Sequence, residues 1–295
     1  MWTKASFLLL CSIGLLLTNV SVSMAACEYG PLHLEPVGGQ NRYDPFAPGP
    51  FSLISVFRVR SEIVGEFCEI QVTLDMDTGE TALKGPESQR LRFDWAGSHG
   101  YRQANSWKVT LNEQSSEALI KLRYESGQWL PAGNYQAQLN ASLAYADFKS
   151  DYMVPPDTLN VRVWVPPVSK VQFYGLSQQH YDLDMGVLNT NKVINSVPKL
   201  WIQSNSAYQI VLTSQHQGRL RHQSDDTRWD IPYDVLFNNR TVDLQKLKTV
   251  LPFLSASSGH SVPLQLTIGD TRNKPAGKYQ DTLYISIEPH LSLQF

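Results

Sequence analysis

The sequence has no excess of charge of either sign. Charged residues make up 18% of the chain, and the formal net charge is −2. Proteins that bind nucleic acid or anionic membranes by charge carry a basic patch or stripe. We therefore expect neither nucleic acid nor an anionic lipid surface as a partner.

Cysteine is scarce, with three residues in all: Cys11, Cys27 and Cys68. Cys11 falls in the apolar N-terminal run, which leaves one pair. An even pair in an exported protein predicts a disulfide between Cys27 and Cys68. The alternative is lipidation of Cys27, because residues 24–26 before it faintly resemble a lipoprotein processing site.

Long hydrophobic runs are absent except at the N-terminus. Lys4 supplies a positive start, Phe7 to Leu17 an apolar core, and Ser23 and Ala25 small residues before a cleavage site. This pattern predicts a signal peptide over residues 1–25, with cleavage before Ala26. The alternative is an uncleaved anchor, for which the run is short. We expect export through the periplasm.

No pattern of reactive side chains points to catalysis or metal binding. His216 and His222 have a spacing that suits neither a helix nor a strand presenting one metal. Ser257 and Ser258 precede Gly259 without the strand–turn–helix context of a hydrolase nucleophile. We therefore predict a protein that is not an enzyme and has no cofactor.

What the sequence does contain is a repeated unit. Pro131–Tyr135 and Pro275–Tyr279 share the pattern Pro-Ala-Gly-x-Tyr, and 144 residues, about one domain, separate Gly133 from Gly277. Alternating apolar residues come after each copy, as expected of a half-buried strand. With many turn residues and little helical periodicity, the sequence predicts an all-β fold of two tandem immunoglobulin-like β-sandwich domains.

The two halves differ in the residues that come after the repeat. Residues 26–165 form the predicted first domain, which ends in an alternating run, Leu159 to Val165; Pro166 and Pro167 form a stiff linker to the second domain, residues 168–295. The second domain has only a short tail after its repeat and is predicted to lack its last strand. Its apolar run, Leu283, Ile285 and Ile287, is then expected to line an open groove. The alternative is that the tail, with Leu291, Leu293 and Phe295, folds back to complete the sheet.

The order of motifs in the second half resembles a known family. The residues concerned are Leu183, Met185, Gly186, Ile202, Ser204, Asn205, Ser206, Tyr208, Gly218, Ile231, Pro232, Tyr233, Asp234, Ala276, Gly277, Tyr279, Asp281, Thr282 and Leu283. In this order they resemble the spore coat protein U domain, as used in archaic (Csu-type) chaperone–usher pili of Gram-negative bacteria. The first half is a weaker match, carried by Cys27, Tyr43–Pro45, Cys68 and the first Ala-Gly-x-Tyr turn.

The resemblance implies a pilus subunit with an incomplete immunoglobulin-like fold. Its partners would be a periplasmic pilus chaperone, an outer-membrane usher and an adjacent subunit that donates a strand to the groove. Two-domain members resemble tip adhesins, which implies a place at the pilus tip on the cell surface. The alternatives are a self-complete secreted or outer-surface structural protein of the same family, or a carbohydrate-binding surface lectin that uses Trp95, Tyr101, Trp107 or Trp129.

Sandwich topology places the loop between residues 145 and 157 at the end of the first domain farthest from the linker. This loop is unusually apolar, and the segment around residues 45–51 is expected to share that end. We predict that these side chains contact an abiotic or host surface; the alternative is that they plug the end of the sandwich. The predicted contact residues are Phe46, Pro48, Phe51, Phe148, Tyr152, Met153, Val154 and Pro155.

Overall fold

The computed structural model describes residues 27–38, 41–145 and 154–290, so the predicted signal peptide lies outside it. The described chain consists of β-strands and turns, with short 3₁₀ helices at Pro86–Ser88 and Thr227–Trp229. Within these ranges, no helix has the length and apolar character to cross a bilayer. The predicted all-β class is confirmed.

The first half of the chain forms two main sheets. One contains β7, β6, β12, β5, β10 and β9 in that order, with β13 also paired to β12, and the other has the order β2, β3, β11, β8. The strands are β1 (Glu28–Tyr29), β2 (His33–Pro36), β3 (Phe51–Arg60), β4 (Ile63–Val64), β5 (Glu69–Met76), β6 (Ala82–Lys84), β7 (Arg90–Arg92), β8 (Asp94–Gly97), β9 (Gly100–Gln103), β10 (Ser106–Asn112), β11 (Glu117–Glu125), β12 (Gly133–Tyr145) and β13 (Asp157–Val165).

The second half forms three smaller sheets. Their orders are β14, β16, β22; then β15, β23, β19, β18, β24, with β20 on β19; and finally β21, β17, β25. The strands are β14 (Ser169–Phe173), β15 (Val193–Ile194), β16 (Leu200–Ser204), β17 (Tyr208–Ser214), β18 (Arg219–His222), β19 (Ile231–Phe237), β20 (Arg240–Val242), β21 (Thr249–Phe253), β22 (Ser257–Val262), β23 (Leu264–Ile268), β24 (Tyr279–Gln280) and β25 (Leu283–Pro289).

Each half has its own hydrophobic core. The buried side chains of the first core come from residues between Leu32 and Val165. Those of the second core come from residues between Ile194 and Ile268. Two separate cores are what two β-sandwich domains require; we call them domain one and domain two.

The repeated Pro-Ala-Gly-x-Tyr unit has the same local structure in both domains. The Tyr135 hydroxyl donates to the Pro131 carbonyl at 3.0 Å, and the Tyr279 hydroxyl donates to the Pro275 carbonyl at 2.8 Å. Gly133 has φ +150° and its counterpart has φ +157°. Only glycine adopts this region readily, which explains its place in both copies.

Asn205 joins the two domains. Its side-chain oxygen accepts from the Val168 N–H at 2.7 Å, and its amide NH₂ donates to the Pro166 carbonyl at 2.9 Å. Its carbonyl accepts from the N–H of Ala132 in domain one at 3.0 Å. Because Asn205 is only 1% exposed, these bonds are shielded from water and fix the linker against the corner between β16 and β17.

We expect Asn205→Ala to loosen this connection. Val168 and Pro166 would lose their buried partners, at a local cost of about 1–3 kcal/mol. Limited proteolysis should then cut faster around residues 166–168, while the melting of domain one stays unchanged. Asn134→Ala, an exposed site on β12, is the matched control; equal cleavage of the two variants would contradict the role of Asn205.

Candidate functional site

One edge of β25 has no partner strand among the described residues. Along its other edge β25 pairs with β17, from Leu283 opposite Ser214 to Ile287 opposite Ile210. Its counterpart in domain one, β12, pairs with β5 on one side and with β13 on the other. Domain one therefore completes its own sheet, and in the described part of domain two the equivalent position is open.

The missing neighbour changes the burial of matching side chains. In domain one the inward-facing Leu139 and Ala141 are 0% exposed. The corresponding Leu283 and Ile285 pack against the second core but remain half-exposed, as does Ile287. Leu283, Ile285 and Ile287 thus lie on the strand that has one unpaired edge among the described residues, and their place in a groove for an added strand stays a prediction.

A cleft of about 440 Å³ runs beside this strand. Leu283 and Ile285 line one side of it, and Leu183 and Met185 line the other. The floor consists of side chains from the core of domain two: Leu220, Tyr233, Val235, Leu264 and Leu266. The floor is apolar and its side chains are at most 9% exposed, so an added strand would pack directly on the core of domain two.

The wall opposite β25 has a backbone that is also free to pair. Residues 177–185 belong to no strand and form no backbone–backbone hydrogen bond with the described part of the chain. Leu183 and Met185 alternate inward, as they would in a strand, while the Lys192 ammonium holds the end of the segment by donating to the Met185 carbonyl at 2.6 Å. An extended segment inserted here would have backbone groups available on both sides.

A buried carboxylate closes one end of the cleft. The side chain of Asp281 is 2% exposed and accepts from the Ser214 hydroxyl at 2.5 Å and the Tyr233 hydroxyl at 2.6 Å. The His216 backbone N–H donates to its other oxygen at 3.0 Å. Burial, and then the neighbouring Asp281, raise the pKa of Tyr233, so its hydroxyl keeps its proton and donates it. The network ties β17, β19 and the start of β25 together.

The C-terminal tail is described only at its first residue. The His290 N–H donates to the Ala207 carbonyl at 2.8 Å, which continues the pairing of β25 with β17. Leu291, Leu293 and Phe295 lie outside the described residues. Completion of the sheet by the tail stays the alternative prediction.

The disulfide joins Cys27 and Cys68, as predicted. It lies at the end of domain one farthest from the linker, because β12 ends there with Tyr145 opposite Gln71. Phe67, next to the disulfide, is 93% exposed and has φ +58°, a region that is costly for a residue with a side chain. An aromatic side chain exposed to solvent in this way is a candidate contact residue.

Phe67 was not among the contact residues predicted from the sequence. The signal was present in the alternation of Cys68, Ile70, Val72 and Leu74, whose side chains all face the core. Period two then places residue 67 on the outside. The informative signal was therefore an aromatic residue at an outward-facing position of the alternating pattern.

Removal of the disulfide by Cys27→Ser with Cys68→Ser should destabilise domain one. The bond closes a loop with a sequence separation of 41, for which chain entropy predicts a loss of about 4 kcal/mol. Urea unfolding of the exported chain should show this loss in domain one and none in domain two. Mass spectrometry of the unsubstituted protein is a second test. Its intact mass should lie two mass units below that of the reduced protein, because the disulfide lacks two hydrogen atoms. A lipid-sized increase in mass would instead indicate lipidation of Cys27.

The structure corrects the expected placement of the segment around Phe46. Phe51 pairs with Glu125, and the Tyr43 N–H donates to the Trp164 carbonyl at 3.0 Å, one residue before the end of β13. Phe46, Pro48 and Phe51 therefore lie at the linker end of domain one. The reason is that β3 starts at this end and runs away from it, which sequence order alone had not fixed.

The apolar loop at the distal end is only partly described. Phe148, Tyr152 and Met153 lie outside the described residues. Val154 is 8% exposed and belongs to the first core, so its expected contact with a surface is wrong: the side chain packs inward. Pro155 is exposed.

In residues 27–38, 41–145 and 154–290, no three His, Cys, Asp or Glu side chains cluster as metal ligands.

Fold and cleft together define a two-domain β-sandwich protein whose second domain has an open strand position. No protein-family model matches the chain, and no curated protein does. Similar solved structures include a chain of the CsuC–CsuE chaperone–tip adhesion subunit complex from Csu pili of Acinetobacter baumannii, at 14% identity and a TM-score of 0.44, over 89% of this chain and 100% of that one. The CupB6 tip adhesin from Pseudomonas aeruginosa is similar at 10% identity and a TM-score of 0.36, over 88% and 92% of the two chains. Such distant similarity concerns the fold, whereas the geometry of the cleft bears on function.

Proposed function

We propose that this protein is a subunit of a chaperone–usher pilus and acts as its tip adhesin. One observation carries the proposal: in the described part of the chain, β25 has no partner on one edge and its inward-facing side chains are only partly buried, whereas the equivalent strand of domain one, β12, is covered by β13. An uncovered core with an unpaired edge tends to aggregate unless a partner strand fills it. In a pilus that partner is first a chaperone strand and then the donor strand of the adjacent subunit.

The test is periplasmic expression of the full chain with and without an archaic pilus chaperone. We expect soluble protein only as a chaperone complex, from which a donor-strand peptide releases the chaperone. Truncation after His290 should leave this behaviour unchanged, because the tail is not needed. A cooperatively melting monomer that forms without chaperone and loses stability on truncation would instead establish a self-complete protein.

The adhesive surface of the proposal is the distal end of domain one. Phe67 is 93% exposed there and Val64 is 52% exposed, on the turn held by the disulfide. Pro155, at the described end of the apolar loop, is also exposed. Phe148, Tyr152 and Met153 lie outside the described residues and stay predicted contact residues. Rigid apolar side chains lose little conformational entropy on contact, which favours adhesion to apolar, abiotic surfaces.

Substitution of Phe67 by Ser tests the adhesive surface. We expect at least a several-fold loss of attachment of piliated cells to polystyrene, since a large exposed ring is removed from the contact. Leu247→Ser, at an 80% exposed site in domain two, is the control. Equal attachment of both variants, with pili present in equal number, would rule out contact through this end.

A further inference from the structure

We propose that domain one has a second binding site, a saccharide site at its linker end. It lies in a concave region of about 450 Å³, at the corner where the chain crosses from β7 to β8 and meets the turn after β11. Six of its lining residues are Arg92, Phe93, Asp94, Glu125, Gln128 and Trp129. The site is separate from the groove and from the distal end, and it stands whether or not the pilus proposal holds.

The turn that carries Trp129 is held in place by hydrogen bonds to Tyr43 and to Arg92. The hydroxyl of Tyr43, which is 0% exposed, donates to the Glu125 carbonyl at 2.8 Å and accepts from the Gln128 N–H at 2.9 Å. The Gln128 side chain accepts from the Arg92 N–H and donates to the Arg92 carbonyl, both at 2.8 Å. The turn is thus held to β7 and to the core, so the wall of the site exists before any ligand binds.

The indole of Trp129 is available to a ligand. It is half-buried, with its ring 5.9 Å from that of Phe46, and no described residue accepts from its N–H. The floor beside it is apolar because Phe93 and Leu130 are each 3% exposed. A fixed aromatic face with a free N–H at its edge suits a ligand that has an apolar face and hydrogen-bonding groups around it.

The charges of the site indicate a neutral ligand. Arg90 forms an ion pair with Glu80, and Asp94 lies 3.5 Å from Arg102. Arg92 and Glu125 have no ion-pair partner in the described structure, so one free donor group and one free acceptor group of opposite charge face the same space. A hydroxyl group can accept a hydrogen bond from the Arg92 guanidinium and donate one to the Glu125 carboxylate. A neutral sugar ring presents several hydroxyl groups together with an apolar C–H face.

The test is saturation-transfer NMR on the full chain purified from the periplasm, as the chaperone complex where the chain needs a chaperone to be soluble, with the chaperone alone as the blank. The probes are glucose, galactose, mannose and N-acetylglucosamine, with glucuronate as the charged comparison. We expect at least one neutral probe to bind with a Kd of about 1 mM, weaker by tenfold or more in Trp129→Ala. Arg92→Ala, an exposed substitution that leaves the core intact, should also weaken binding, and Trp164→Ala, at a 44% exposed tryptophan outside the site, should not.

Three results would overturn the proposal. The first is no binding of any neutral probe at about 10 mM, well above the expected Kd. Another is binding that survives both Trp129→Ala and Arg92→Ala. Binding of glucuronate alone is the third, because it contradicts the neutral ligand that the charge balance assigns.

Discussion

A peptide of alternating apolar and polar residues should stabilise domain two by about 10 °C or more in its melting temperature. Such a peptide would pair with the free edge of β25 and cover Leu283, Ile285 and Ile287, which are half-exposed without it. At a peptide concentration of one hundred times the Kd, linkage supplies about 2.7 kcal/mol, and each kcal/mol shifts the melting temperature by several degrees. Differential scanning calorimetry of the full chain, released from its chaperone and kept at low concentration, with and without peptide, measures this shift.

Two substitutions on the same strand separate groove binding from nonspecific association. Ile285→Asp places a charge on the groove side and should abolish the peptide effect. Tyr284→Asp places the same charge on the outer face, where Tyr284 is 58% exposed, and should retain it. A peptide of the same composition without alternation should give no shift. If both variants respond alike, β25 is not the site of strand addition.

Replacement of Asp281 by Ala should be the most destabilising single change in domain two. It removes the acceptor of the Ser214 and Tyr233 hydroxyls and of the His216 backbone N–H. Leaving several buried donors without a partner costs about 3–5 kcal/mol. Hydrogen exchange of β17 and β25, followed by mass spectrometry, should show the loss directly.

Asp182→Ala is the matched control for this network. Its side chain is 95% exposed and pairs only with His180, so the expected change is below about 0.5 kcal/mol. Asp281→Asn should lie between the two, because the amide keeps the shape and one acceptor oxygen. An effect of Asp281→Ala no larger than that of Asp182→Ala would mean that the network does not hold β25 in place.

The strands that follow the two Pro-Ala-Gly-x-Tyr turns were predictable because their sequence signals are local. Turn chemistry at Gly133 and Gly277, with alternation after it, specifies a strand without knowledge of its partners. The asymmetry between the domains was also visible, and among the described residues no strand equivalent to β13 follows β25. These features predicted the strand that carries Leu283, Ile285 and Ile287, whereas their role in a donor-strand groove stays a proposal.

Other features depended on contacts that no short window contains. The position of Phe46 follows from the pairing of β3 with β11, and the burial of Val154 follows from how the loop re-enters the core. The contacts of Asp281 reach Tyr233, 48 residues away, and Ser214, 67 residues away. In an analysis of sequence periodicity, Asp281 is only a polar residue that interrupts an apolar pattern. Its hydrogen-bond partners are known only from the tertiary structure.

The adjacency of β12 and β13 has a consequence for the order in which the two domains fold. Every strand of the sheet that contains them lies within the first 165 residues, so this sheet has all its pairing partners once this stretch of the chain has emerged. Domains emerging from the N-terminus generally fold as units. β25, with the open edge, emerges last among the described strands. The proposed chaperone, binding the open edge of β25, would therefore meet a chain whose first domain is already complete.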